Sequence, residues 1–391
     1  MRTSFYCLLL LLLVVPAYSQ RAPWADLAAH PHFKADRSFP PATGFPAPYE
    51  TPASLACNYQ LVTAIVPGCP VATTTALPSG GSGTIAIVNA FDYPAAQRDL
   101  NTFSQRFGIP LCSTSNPCLS VVFAAGTRPV VDPLWASNAA NVIEYLHAFA
   151  PTAKIVLVEA ATSSLTDLMV AIQKANDIIS TSASGKGEVI LPFGLPEFVS
   201  ETIADEAFTT PGVVYIAGNE GAPDFLEYPA VSPNVIAVAA TGLLRDAQGN
   251  SQGEISTTFF AGGNSKFESR PSYQDGIQSL VKNHRGVPDV AFACDPIISP
   301  EIFYDSIPLD GFVGWQFTGN LVFGEAFWAA VINQAGSFAD STAAELTILY
   351  GNLGNSSVFT DITHGSAIGV KAKPGWDFVT GLGADVGFTG K

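Results

Sequence analysis

The sequence predicts an α/β fold built on a mainly parallel central sheet, and three observations carry that reading. Short apolar runs recur along the chain without polar alternation, as strands buried on both faces require. Segments with helical apolar spacing lie between those runs. Glycine and proline stand at many of the junctions, where one element must stop before the next begins.

The elements follow in order. Residues 84–90 (Thr-Ile-Ala-Ile-Val-Asn-Ala) are the first continuous apolar run and read as a buried strand. Residues 94–107 read as a helix, with Pro94 at its start and Gly108 at its end. A strand over 119–123 and a helix over 134–149 come next, the helix ending before Pro151. The alternation continues with a strand at 154–159, a helix at 165–179, a strand at 188–192 and a helix at 198–208. Strands at 212–217 and 234–239 follow, and a helix at 321–335 encloses Gly324. Residues 243–287 read as longer loops forming an antiparallel surface feature, and 360–387 as glycine-rich loops. Residues 20–48 lack an apolar period and read as an extended leader, so one domain occupies 49–391.

The formal net charge of −15 argues against nucleic acid or an anionic membrane surface as partner, since both need a basic patch. At the start of the chain, Arg2, an apolar run from Leu8 to Val15 and the small-residue stretch Ala17-Tyr18-Ser19 have the pattern of a signal peptide over 1–19. The run is too short to span a bilayer, so the expected product is exported and free of membrane spans, secreted or periplasmic, and a monomer; an uncleaved anchor is the alternative. Export permits disulfides. Among Cys57, Cys69, Cys112, Cys118 and Cys294, the local pairings Cys57–Cys69 and Cys112–Cys118 are favoured, which leaves Cys294 as a buried thiol.

Seven stretches in order resemble the sedolisins, the serine-carboxyl peptidases. They are Tyr49-Glu-Thr-Pro-Ala-Ser-Leu, the run from His147 to Ala160, the run from Tyr228 to Thr241, Val287-Pro-Asp-Val, Ile332-Asn-Gln-Ala, Phe359-Thr-Asp-Ile-Thr-His-Gly and Pro374-Gly-Trp-Asp-Phe-Val-Thr-Gly-Leu-Gly. The resemblance implies a subtilisin-like, doubly wound peptidase domain over 49–391. It also implies a catalytic set: a Glu and an Asp four residues apart on one helix, a serine far downstream, and a further Asp at the oxyanion hole. The chemistry is that of a triad in which a carboxylate replaces the imidazole.

At each of those positions this chain has another residue. Alignment on Trp135 and His147 puts Asn138 at the Glu position and Val142 at the Asp position. Alignment on Ile332-Asn-Gln-Ala puts Gly319 at the serine position. Asn219, in Gly218-Asn219-Glu220-Gly221, stands for the oxyanion Asp, either as a remnant donor to a carbonyl or as a turn-stabilising amide. No neighbour substitutes on this reading. Glu144 lies about 200° round the helix from Val142 and belongs to a solvated face. Ser137 points elsewhere, His147 packs or hydrogen-bonds, and Glu325 is off the required face. His30, His32, His284 and His364 fall in loop-like stretches, and Phe317 and Phe323 repack the pocket. The expectation is a catalytically inactive pseudopeptidase that binds a peptide or protein in the remnant cleft. The alternatives are an active serine-type endopeptidase using non-standard residues and a surface protein with a closed groove.

The resemblance also implies one structural calcium ion, held by the carboxylates of Asp361 and Asp377 and the backbone carbonyls of Ile362, Lys373 and Gly375. The plainer reading of the two aspartates is that they cap turns.

Overall fold

Buried strands need cover on both faces, and the chain supplies it by placing helices on both sides of one sheet. The computed structural model describes residues 22–32, 50–294, 301–309, 312–317 and 321–389, with 301–309 and 312–317 described by backbone alone. The signal segment 1–19, most of the leader and Gly319 lie outside the described residues.

In chain order, β1 (His30–Pro31) and α1 (Pro52–Asn58) precede β2 (Thr84–Ala90), α2 (Ala96–Phe107), β3 (Leu119–Phe123), α3 (Pro133–Phe149), β4 (Lys154–Ala160) and α4 (Leu165–Ser180). Then come β5 (Gly187–Ile190), β6 (Phe193–Pro196), α5 (Glu201–Ala204) with a 3₁₀ turn (Asp205–Phe208), β7 (Val213–Gly218), β8 (Glu227–Tyr228), β9 (Ile236–Arg245), β10 (Ser251–Ser256), β11 (Gly263–Ser269) and α6 (Gln278–Val281). Next are β12 (His284–Val287), β13 (Val290–Ala293), β14 (Glu301–Leu309), β15 (Phe312–Phe317), α7 (Val322–Gln334) and α8 (Thr342–Gly351), and the segment expected as glycine-rich loops carries four two-residue strands, Phe359–Thr360 paired with Ala384–Asp385 and Ser366–Ala367 with Val370–Lys371.

The central sheet has eight strands in the order β10-β9-β7-β5-β2-β4-β3, with β13 also paired to β9. Every pairing except β9–β10 is parallel, as expected for the predicted α/β class. Alternate residues feed opposite layers: Ile85 and Ile87 of β2 join the core with α2, α3 and α7, while Ala86 and Val88 join the core with α4. From β2 the chain winds to β3 and β4 on one side and to β5, β7 and β9 on the other. The carboxyl ends of β2 and β5 therefore flank a topological switch point, where folds of this type form a crevice.

Local chemistry sets several boundaries. Asp132 caps α3 by accepting from the amides of Leu134 and Trp135, and Pro133 occupies the first helical position, where its missing N–H costs nothing. Gly108 ends α2 in the left-handed region at φ 73°. The predicted helix at 198–208 is instead the four-residue α5 followed by the 3₁₀ turn. The strand β13, the helix α8 and the short helix α1 were not anticipated. The antiparallel surface feature expected within 243–287 is present as β9–β10 and β11–β12. Both favoured disulfides form, Cys57–Cys69 and Cys112–Cys118, and Cys294 is a buried free thiol. Among the described residues no helix is long and apolar enough to cross a membrane.

Part of the leader is not a free linker. Residues 22–32 lie against the domain, where β1 adds an antiparallel edge to β6, and Trp24 and Leu27 pack on the apolar layer of α4. Residues 33–49 lie outside the described part.

Candidate functional site

The residues singled out from sequence gather at the carboxyl ends of the parallel strands. Asn138 sits one turn into α3, fully buried, and its Nδ2 donates to Asn89 Oδ1 at the end of β2 (3.2 Å) and to the Pro192 carbonyl after β5 (3.0 Å). Asn89 in turn donates to the carbonyls of Ala90 (2.9 Å) and Trp135 (3.1 Å). This amide network bridges the switch point and carries no titratable group. Val142, one turn further along α3, is sealed in the core layer. A carboxamide is no base at ordinary pH, and an isopropyl group neither ionises nor hydrogen-bonds.

The expectation for Glu144 is overturned: it is buried, not on a solvated face. Its helix is covered by α2, α7 and the β14 strand, so α3 has no open side. Ser137 is buried as well. His147 is a packing residue: its Nε2 lies 2.7 Å from the Pro110 carbonyl, and burial holds its pKa below the usual value, which keeps it neutral. It lies beside Cys112 and Cys118, but those sulfurs are bonded to each other and offer no thiolate to a metal. Phe323 is buried with its ring 4.7 Å from that of Tyr145, so it fills the layer between α3 and α7.

Asn219 follows β7 and is almost fully buried. Its Nδ2 donates to the Ala261 carbonyl and its Oδ1 accepts from the Glu227 amide, each at 3.4 Å. The side chain braces one loop against another.

Sequence reasoning set aside the groups that carry the charge here. Glu325 is the first of them. It is fully buried on the first turn of α7, and its Oε1 accepts from the Gly218 amide (2.7 Å) and lies 2.8 Å from His32 Nδ1. His32 is completely buried too, and its Nε2 faces Glu227 Oε2 at 3.7 Å. His30 completes the cluster, with Nε2 3.0 Å from Glu227 Oε1. Burial pulls the pKa of His32 down, but Glu325, Glu220 and Glu227 outweigh it and the net shift is upward. His30 is raised chiefly by its hydrogen bond to Glu227. Burial pushes Glu227 up, yet the two imidazoles hold it below the ordinary carboxylate value. A lone acid inside the apolar run Val-Phe-Gly-Glu-Ala-Phe-Trp was the available signal for Glu325, because an unpaired buried carboxylate is untenable. No sequence signal placed His32 beside it, since the two are 293 residues apart. An imidazole on a carboxylate is the base half of a triad, but Nε2 here points at Glu227 and not at a hydroxyl.

In the C-terminal loops, the two aspartates proposed as calcium ligands each accept from backbone amides. Asp361 Oδ2 accepts from the Gly375 amide (2.8 Å), and Asp377 Oδ2 accepts from the Lys373 amide (2.7 Å). Asp377 Oδ1 accepts from the amides of Val379 (2.7 Å) and Thr380 (2.9 Å), and Thr380 Oγ1 reaches the Ile362 carbonyl at 3.5 Å. Each carboxylate therefore caps a turn through part of its acceptor capacity and keeps one less-used oxygen, a donor of the kind a hard cation takes.

No family model matches the chain. Sedolisin of Pseudomonas sp. (strain 101) is 29% identical over 192 residues, a match that takes in 44% of this chain and 31% of that protein's length. The structure of Pseudomonas sedolisin, a serine-carboxyl proteinase complexed with two molecules of pseudo-iodotyrostatin, superposes with a TM-score of 0.69 at 19% identity, covering 87% of this chain and 96% of that one. The S41 psychrophilic protease superposes with a TM-score of 0.50 at 17% identity, covering 87% and 99%.

Proposed function

We propose that this chain, which is sedolisin-like within the subtilisin-like family, does not hydrolyse peptide bonds and instead binds an extended peptide or protein segment in the crevice at its strand ends. One observation supports this reading above the others. The helix face on which a base and its orienting acid would sit carries Asn138, tied into an amide network, and Val142, closed into the core. Acyl transfer needs a group that attacks and a group that takes its proton. Neither of those two side chains does either, and the third aligned position, Gly319, has no side chain.

Purified protein is expected to leave an unstructured protein substrate intact between about pH 3 and pH 8. Turnover that co-purifies with the chain through successive columns overturns the reading. The variant with Asn138→Glu, Val142→Asp and Gly319→Ser asks in addition whether the scaffold still supports the reaction.

The reading extends to one structural calcium held by Asp361 and Asp377 with the carbonyls of Ile362, Lys373 and Gly375, and to export after removal of 1–19. Calcium in place of chelator is expected to raise the melting temperature by at least about 3 °C, and Asp361→Asn to abolish the increment. An unchanged melting curve refutes the ion.

A further inference from the structure

The crevice is not empty of peptide: the chain's own residues 27–32 lie in it as an extended strand. They are held from two sides. On one, the Leu165 amide donates to the Leu27 carbonyl (2.8 Å) and the Ala29 amide to the Ser163 carbonyl (2.9 Å). On the other, β1 pairs antiparallel with β6, His30 opposite Gly194 and Pro31 opposite Phe193, and the His32 amide donates to the Pro192 carbonyl (3.2 Å). These are backbone bonds, which any extended peptide can make; side-chain pockets then decide which peptide is accepted.

One pocket is built for a particular side chain. His32 enters a fully buried socket whose polar walls are Glu325 from α7, Glu227 from β8 and Glu220 from the loop after β7. Gly194 makes room for the ring, and Gly218 for the helix turn that carries Glu325. A Cβ on Gly194 would stand 2.9 Å from His32 Nε2 and 2.6 Å from Glu227 Oε2, and one on Gly218 would stand 2.8 Å from Glu325 Oε1. The ion pairs given by Glu227 and Glu325 go to His30 and His32. Both partners are imidazoles, cations that give up their charge near neutrality where Lys and Arg do not.

We infer that residues 27–32 are a displaceable occupant of this groove, and that the groove takes an extended peptide that places a permanently basic side chain, Lys or Arg, in the acidic socket now filled by His32. The inference rests on the binding function proposed above and names its ligand class. The sign of the pH dependence follows from His32. Its pKa is raised, so its contribution to docking is complete below the ordinary imidazole value of 6.5 and is lost as pH rises through the raised value. His30 acts in the same direction. The strap is therefore closed in acid and loosens in mild alkali, where a lysine or arginine side chain remains charged and replaces it.

Hydrogen exchange on the full-length protein, corrected for intrinsic rates, tests the strap. Between about pH 5.5 and about pH 8.5 the amides of Ala29, His32 and Leu165 are expected to lose at least tenfold protection, while that of Ile87 in the central sheet does not. His32→Gln should loosen the strap at both pH values, and His32→Lys should keep it closed at the higher one. Protection that is independent of pH and unchanged in His32→Gln overturns the strap. Fluorescence anisotropy at about pH 8.5 tests the ligand, using a labelled peptide of residues 24–32 with lysine in the last position. It should bind at least tenfold more tightly than the same peptide ending in alanine, since a buried charged hydrogen bond is at stake. Equal binding of the two overturns the ligand class. Mass spectrometry of the same mixture separates this inference from the reading beneath it: a peptide that binds and is cut refutes inertness and upholds the groove.

Discussion

Glu325 is the residue on which three parts of the molecule converge: the amide that ends β7, the imidazole of the leader strand, and the first turn of α7. Removing one member of a buried, hydrogen-bonded charge set is costly, because the others stay behind desolvated. Glu325→Ala leaves the Gly218 amide and the His32 ring without their acceptor, and a loss of about 3–5 kcal/mol is expected in urea denaturation at about pH 6. Glu325→Gln keeps an acceptor of the same shape and should lose less than half as much. A cost below about 1 kcal/mol for the alanine variant would show that the cluster is solvated and not a socket. The sequence held half of this site. A carboxylate in a helix otherwise apolar had to be paired, but its partner came from a stretch with no period and no motif, and only the tertiary fold brings residue 32 to residue 325. That Asn138 and Val142 lack an ionisable group was legible from the sequence alone, wherever they lie in the fold.

At the scale of elements, the long ones were readable and the short ones were not. β2, β3, β4 and α3 lie within a residue or so of where composition put them, because the strands are continuous apolar runs and the helix is long enough for its period to show and has a cap at its start. β13 has only four residues, Val-Ala-Phe-Ala, too few for any period, and it exists because it completes an edge of β9. The predicted helix at 198–208 failed for a related reason. Glu201, Asp205 and Tyr228 are drawn into one buried polar cluster with Glu268, and the chain tightens to a 3₁₀ turn there instead of continuing as a helix. Close packing also reverses a familiar helix rule. Glycine inside a helix ordinarily costs about 1 kcal/mol relative to alanine. A Cβ on Gly324, however, would stand 2.8 Å from Val238 Cγ1 and 3.3 Å from Phe292 Cβ. Gly324→Ala is expected to destabilise the protein by about 1–3 kcal/mol through overpacking. Gly351, at the end of α8, meets nothing within 4 Å, and Gly351→Ala should be neutral or stabilising by up to about 1 kcal/mol. Denaturant midpoints of the two variants measure the contrast, and the same sign for both refutes the packing account.

At the scale of the whole molecule, the net charge of −15 is less telling than where the acids sit. Burial pushes Glu159 up to about 8, Glu201 to about 9 and Glu268 to about 8, with Asp205 at about 6. Glu254, whose carboxyl lies between Thr241 Oγ1 and Tyr59 Oη, is raised to about 7. An acid that keeps its proton in the fold but loses it in the unfolded chain favours folding only while the solution is acidic. The advantage is complete below the ordinary carboxylate range and declines as pH rises through the raised values. The raised imidazoles of His30 and His32 decline in the same direction. Glu227, held low, and His147, kept neutral, act oppositely, since their contributions fade as pH falls. The first group is larger, so stability should be greatest near or below about pH 4.5 and fall from there toward alkali. Each proton taken up on folding is worth about 1.4 kcal/mol per pH unit, and more than one is taken up across this window. Urea denaturation is therefore expected to give an unfolding free energy at least about 3 kcal/mol lower at pH 8 than at pH 5. Glu201→Gln, which removes the most strongly raised of these carboxyls while keeping its shape, should flatten that slope. A stability equal at the two values, or greater at pH 8, would mean that these carboxyls reach water in solution and that the fold is not organised for acid.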